Sequence, residues 1–276
     1  MVKFASATEA RLPATTIANM IKRKLGLPTL PTSSVQPAVS DIGVLSLPGL
    51  DQSSANNDEN SGFSQLSQFD TVFVVDDTGS MQLAANSKET YTPQTKSRWD
   101  VLTRALQYIA NIATMYDSDG LDVHFLISTK LNRKNIRSGE EVLDLLKQVT
   151  LEKSVGGTFM NPPLAEILGP HVIMYQQHFD RKVAKQPTAP PKPLNIIVLT
   201  DGKADDEKAL KRLLVRTAKK LDEMFAPDSQ IGIQFLQVGD DKDAAVFLES
   251  LDNELEDKYE VRDVRITYFD YVYKLT

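Results

Sequence analysis

Five oxygen-bearing side chains stand at three separated places in this sequence. Asp76, Thr78 and Ser80 lie in "VFVVDDTGSM" (72–81), Thr158 lies in "GGTFMNPP" (156–163), and Asp201 closes "LNIIVLTDG" (194–202). The five offer carboxylate and hydroxyl oxygen and no nitrogen or sulfur. A hard cation takes such a set: Mg²⁺ in near-octahedral geometry, with Mn²⁺ or Ca²⁺ as alternatives. Two other chemistries share the pattern. An acid at the end of an apolar strand can accept a phosphoryl group, and "DDTGS" can also be a polar turn.

The phosphoryl readings each lack a residue. A receiver-type phosphoacceptor needs an Asp at the end of a middle strand, where "LDVHFLIST" (121–129) ends in Ser and Thr. A D-x-D phosphatase needs a second acid where Thr78 stands, so the general acid is missing. An EF-hand loop starting at Asp76 needs Gly where Met81 stands. Gly156-Gly157 lacks the Lys of a P-loop and reads instead as slack that lets Thr158 approach an ion. His124, His171 and His178 are scattered. The last two would lie about 10 Å apart along a helix, too far to share one zinc ion. Trp99 reads as a packing anchor.

Strands and helices must carry these side chains. Thr71–Val75, 121–127, "LNIIVL", "IGIQFLQV" (231–238) and "VRITYFDYVY" (264–273) are short apolar, β-rich runs. Between them fall helical patterns. Ser97 and Asp100 form a capping box before Leu102, Ala105, Leu106, Ile109, Ile112 and Tyr116. Ser138 and Glu141 precede Val142, Leu145, Leu146 and Val149. Asn161 can cap a helix with prolines in its first turn, which Gly169-Pro170 should kink or divide. Leu210, Leu213, Leu214, Leu221 and Met224 mark another helix, and 243–253 a last one. Residues 82–96 read as a polar loop and 181–193 as an extended basic, proline-rich linker. Alternation of this kind predicts an α/β fold: a doubly wound, mostly parallel sheet with helices on both faces. Asp76 and Asp201 then sit at the carboxyl ends of strands, where such sheets bind ligands.

With these motifs in order, the chain resembles a von Willebrand factor A domain from about residue 66 to the end. The metal ion-dependent adhesion site of that family is written D-x-S-x-S, then a distant Thr, then Asp-Gly. Here threonine replaces the first serine and keeps its hydroxyl. "QIGIQFLQVGDDKDAAVFLESLDNELEDKY" (230–259) is similar to the tail of single-domain members known from fungi and other microbes; the resemblance is weakest at the extreme end, "VRITYFDYVYKLT". The resemblance implies that Thr78 and Ser80 bind the metal through hydroxyl oxygen, Thr158 in one conformation, and Asp76 and Asp201 mostly through water. One coordination position would stay open for an Asp or Glu of a protein partner. The expected function is thus a metal-dependent protein-binding module rather than an enzyme. The alternatives are an Mg²⁺-dependent phosphoryl-handling enzyme using Asp76, and a scaffold with a vestigial metal site.

Composition sets the outer bounds. The 276 residues carry a net charge of −6 and no cysteine. That excludes thiolate chemistry and argues against a nucleic-acid partner. No apolar run reaches the roughly 18 residues needed to span a bilayer. Residues 1–65 are rich in proline and serine and read as a disordered arm, leaving 66–276 as one domain. Within the arm, "TIANMIKRKL" (16–25) could form a short basic helix, but Glu9, Pro13 and Pro28 spoil a mitochondrial presequence. The expected compartment is the cytoplasm, or the nucleus. Pro187–Lys192 matches a P-x-x-P-x-K ligand of SH3-like domains, and Pro187–Pro190 a tetrapeptide read by ubiquitin-variant domains; a stiff linker is the plainer reading.

Overall fold

The structure, a computed structural model, describes residues 65–85, 95–117, 119–151, 157–259 and 266–269, with the backbone alone for 65–66, 252–259 and 266–269. The expected arm and the "TIANMIKRKL" segment therefore lie outside the described residues, apart from Gln65. Among the described residues, six strands form one sheet: β1 (Asp70–Val75), β2 (Leu121–Phe125), β3 (Arg133–Ile136), β4 (Leu194–Thr200), β5 (Ile231–Gln237) and β6 (Ile266–Phe269). Their order is β3-β2-β1-β4-β5-β6. All neighbours pair in parallel except β2 and β3, which are antiparallel. The fold is a doubly wound α/β sheet.

Burial explains why these runs became strands. β4 and β5 are buried at every position, and β1 at all but Asp70. Central parallel strands are covered on both faces, so they read as continuous apolar, β-branched runs. β3, "RKNI", has no such signature. It is a charged, mostly exposed edge strand, the kind of edge that resists pairing with another chain. Sequence pattern gave no sign of it.

Among the described residues, five α-helices cover the faces: α1 (Arg98–Tyr116), α2 (Gly139–Leu146), α3 (Asn161–Val183), α4 (Glu207–Glu223) and α5 (Lys242–Tyr259). Phe73 and Val75 face a core shared with Leu102, Leu106 and Ile109 of α1 and Val142 and Leu146 of α2. Val72 and Val74 face the opposite core, with Leu164 and Leu168 of α3, Leu210 and Leu214 of α4 and Leu248 of α5. The alternate residues of one strand thus fill two cores.

The predicted capping box is present. Ser97 Oγ accepts from Asp100 N at 3.1 Å, and Asp100 Oδ2 accepts from Ser97 N at 2.9 Å. Two expectations for α3 need correction. Gly169-Pro170 does not divide the helix, which runs unbroken from Asn161 to Val183. Pro170 lies on the exposed face, so the carbonyl it leaves without a donor is open to water. Nor does Asn161 cap α3. Its own N–H, with that of Met160, donates to the carboxylate of Asp206 at 2.8 and 3.1 Å. A carboxylate from the segment before α4 thus meets the positive end of α3.

Candidate metal centre

β1 and β4 are adjacent, with Val75 opposite Leu199. The chain passes from β1 to β2 on one side, while β4 lies on the other. Their carboxyl ends therefore frame the point where strand order reverses, the crevice where doubly wound sheets bind ligands. Asp76 follows β1 and Asp201 follows β4.

A continuous chain of polar contacts joins them. Thr200 Oγ1 donates to Asp76 Oδ2 at 2.6 Å, and Asp76 Oδ1 accepts from Thr78 N at 3.0 Å and Thr78 Oγ1 at 2.7 Å. Thr78 Oγ1 lies 2.9 Å from Ser80 Oγ. Ser80 Oγ donates to Asp201 Oδ1 at 2.9 Å, and Arg98 Nη1 donates to Asp201 Oδ2 at 2.6 Å. Asp76, Asp201 and Thr78 are almost fully buried. Burial first, and the charge of Asp201 second, push the Asp76 carboxyl up to about 6, against the pull of the hydrogen bonds from Thr200 and Thr78.

Proton counting decides what fits here. Each hydroxyl has one proton. If Thr78 gives its proton to Asp76 and Ser80 gives its own to Asp201, none is left for the 2.9 Å contact between the two hydroxyl oxygens. Lone pairs then face lone pairs. A proton on Asp76 would relieve this, and so would a cation. Octahedral Mg²⁺, with bonds of about 2.1 Å, holds neighbouring ligand oxygens about 3 Å apart. The donor set and spacing therefore fit a small hard cation. Among the described residues, no group of three His, Cys, Asp or Glu side chains could hold a metal, so a cation here would depend on the hydroxyls.

Thr158 comes to the same place from another loop. Its hydroxyl would lie 3.5 Å from a Cβ built on Gly202, ordinary contact distance, which places it beside the residue that follows Asp201. Two carboxylates after β4 fix this loop: Asp205 Oδ2 accepts from Thr158 N at 2.7 Å, and Asp205 N donates to Thr158 O at 3.0 Å. Asp206 holds the N–H groups of Met160 and Asn161. Gly157 has φ +103°, a left-handed conformation that favours glycine. Gly156, the other glycine of the expected slack, lies outside the described residues.

Asp77 belongs elsewhere. It is fully engaged by backbone: Oδ1 accepts from Ile127 N and Oδ2 from Ser128 N, both at 2.8 Å. It ties the end of β1 to the turn after β2 and adds nothing to the cluster of Asp76 and Asp201.

Sequence reasoning missed Arg98. This first residue of α1 is 9% exposed and pairs with Asp201, which is wholly buried. A signal existed: a cation at a helix N-terminus opposes the helix dipole and needs an acidic partner. It also missed Thr200, whose hydroxyl orients Asp76, and the two loop-fixing acids.

The remaining singled-out residues pack or bridge. Trp99 packs against the α1-side core. His124 is buried and lies 3.3 Å from Asn132 Nδ2 through Nδ1. His171 is buried beside Gln230, and His178 meets Thr188 Oγ1 at 3.2 Å. Pro191 O accepts from Gln230, and Lys192 reaches Asp70, Asp117 and Asp119. A partner reading Pro187–Lys192 would have to take Lys192 from these carboxylates.

No family model matches the chain, and no curated protein matches it. Among the described residues, no helix is long and apolar enough to cross a membrane.

Proposed function

We propose that this chain is a metal-dependent protein-binding module that holds Mg²⁺ at the ends of β1 and β4 and docks an Asp or Glu of a protein partner. The observation that carries the reading is the 2.9 Å contact between Thr78 Oγ1 and Ser80 Oγ, whose protons both have carboxylates to go to. Thr78 and Ser80 would hold the ion directly, Asp76 and Asp201 would neutralise it from behind, and Thr158 would join from the 157–160 loop. Neutral hydroxyls next to the ion leave it electrophilic, so an incoming carboxylate gains a charge-assisted bond. The motif order that resembles a von Willebrand factor A domain supports the same assignment. The absence of cysteine fits the cytoplasm or nucleus.

Phosphoryl transfer through Asp76 is less well supported. Both its oxygens accept hydrogen bonds, and it is 1% exposed. A nucleophile needs an approach path, and a carboxylate this buried offers almost none.

Calorimetric titration of chelator-treated protein with Mg²⁺ or Mn²⁺ tests the reading, followed by a peptide bearing one Glu. The expected result is one divalent ion per chain and peptide binding only when metal is present. Stable trapping of beryllium fluoride, with no peptide binding, would favour the phosphoryl enzyme instead.

A further inference from the structure

We propose that Arg98 sets the selectivity of this site, weakening its hold on the divalent ion and strengthening its hold on the partner's carboxylate. The inference rests on the metal-binding reading above and deepens it. Arg98 is built into the site. Its Nη1 lies 2.6 Å from Asp201 Oδ2, and the other oxygen of that carboxylate takes the proton of Ser80. Its Nε is buried with no hydrogen-bond partner. A Cβ on Gly239 would come within 2.9 Å of that Nε. The loop after β5 thus leaves a slot, free of side chain, that the guanidinium fills.

This placement is costly unless it does something. The residue stands at the positive end of α1, where the helix dipole repels a cation. Breaking a buried pair leaves an uncompensated charge, yet replacing such a pair by apolar residues is often neutral. Stability alone therefore gives no strong reason for an arginine here.

Electrostatics gives one. The site holds two carboxylates, Asp76 and Asp201, and one guanidinium. Arg98 cancels part of the field that would attract an ion. Even at an effective dielectric near 20, a unit charge within one ligand layer of a divalent ion changes its affinity by more than about tenfold. The same charge acts oppositely on an anion. With Asp201 shared with Arg98, the bound ion is neutralised less, so an incoming carboxylate meets both the ion and the nearby guanidinium. A site without Arg98 would be a better magnesium trap and a poorer carboxylate receptor.

The test uses the full chain with R98Q and R98K. Mg²⁺ alone is titrated calorimetrically, and acetate is then titrated into the magnesium-loaded proteins by NMR. R98Q is expected to bind Mg²⁺ about tenfold more tightly and acetate at least about threefold more weakly. R98K, which keeps the charge but not the planar guanidinium, should shift both affinities in the same direction as R98Q but by less. Unchanged or weaker Mg²⁺ binding by a folded R98Q, beside a wild type that binds, overturns the role of Arg98 alone. A wild type that binds no divalent ion overturns the metal-site reading and this inference with it. If R98Q does not fold, the wild type decides: Mg²⁺ must shift the ¹⁵N resonance of Arg98 Nε, and an unmoved resonance at saturation overturns the proposal.

Discussion

Ser80 Oγ donates to Asp201 Oδ1 at 2.9 Å and so joins the end of β1 to the end of β4 across 121 residues of chain. The bond turns a lone pair of Ser80 toward Thr78 rather than its proton. Removing the hydroxyl deletes one neutral ligand and one bond to a buried carboxylate. Ser80→Ala should weaken Mg²⁺ binding by at least about tenfold while costing only about 1–2 kcal/mol of stability, because Arg98 still pairs with Asp201. Calorimetry for the metal and urea unfolding in chelator check the two numbers. A large loss of stability with unchanged metal binding would make Ser80 a structural bridge only.

Asp76 and Asp77 are adjacent in sequence and opposite in role, so their variants should separate. At ten times Kd, Mg²⁺ bound only to the folded chain adds about 1.4 kcal/mol, a midpoint rise of roughly 3–6 °C for a domain of this size. Asp76→Asn should lose most of that rise. Its midpoint in chelator should match or slightly exceed that of wild type, since a buried charge facing Asp201 has gone. The gain is limited because Arg98 already offsets Asp201. Asp77→Ala should instead leave the N–H groups of Ile127 and Ser128 without their acceptor, lower the midpoint in both conditions, and keep the magnesium-induced rise. Melting curves with Mg²⁺ and with chelator decide both.

Thr158→Ala should weaken the partner more than the metal. The hydroxyl lies outside the chain of contacts that runs from Thr200 to Arg98, and the loop is held by its backbone through Asp205. The loop should therefore stay in place without the hydroxyl. Mg²⁺ affinity within about threefold of wild type, with at least about tenfold weaker binding of a Glu-bearing peptide, is the expected pattern, read by calorimetry. Equal losses would place Thr158 among the permanent ligands.

What could be read from sequence follows from where the information sits. "TVFVV", "LNIIVLT" and "IGIQFLQ" are legible because buried parallel strands need unbroken apolar runs, and their alternation with helical patterns gave the doubly wound sheet. All five candidate residues offer oxygen, and the structure brings Asp76, Thr78, Ser80 and Asp201 into one chain of contacts, with Thr158 close to Gly202. β3 was illegible because an exposed edge strand has no apolar period to show. Asp206 immediately precedes α4, yet its carboxylate accepts from Met160 and Asn161 at the start of α3. Local pattern carries no such distant partner. Arg98 was hidden for the same reason: its meaning depends on Asp201, 103 residues away.

His171 should give the fold an acid-sensitive step. It is 2% exposed, and burial lowers its pKa from 6.5 to about 4. Gln230 explains which form is held. The amide Nε2 donates to Pro191 O at 3.1 Å, which fixes its orientation, and the same nitrogen lies 3.0 Å from His171 Nε2. That imidazole nitrogen must accept, so the folded state holds the neutral ring. Because the folded pKa is depressed, this stabilisation is complete above about 6.5 and is lost as pH falls toward 4. The loss should reach about 2 kcal/mol at pH 5. Asp117 works in the other direction. Burial first, and its hydrogen bond with Asp119 second, raise it to about 7, so it favours folding as pH falls from 7 toward 4. Asp76, raised to about 6, acts in the same direction as Asp117, so total stability mixes several groups, and the difference between wild type and His171→Gln isolates the histidine. Urea midpoints at pH 7.5, 6 and 5 should fall more steeply in the wild type than in the variant. Parallel curves would mean that the protonated ring is accommodated in the fold, with Gln230 turned away.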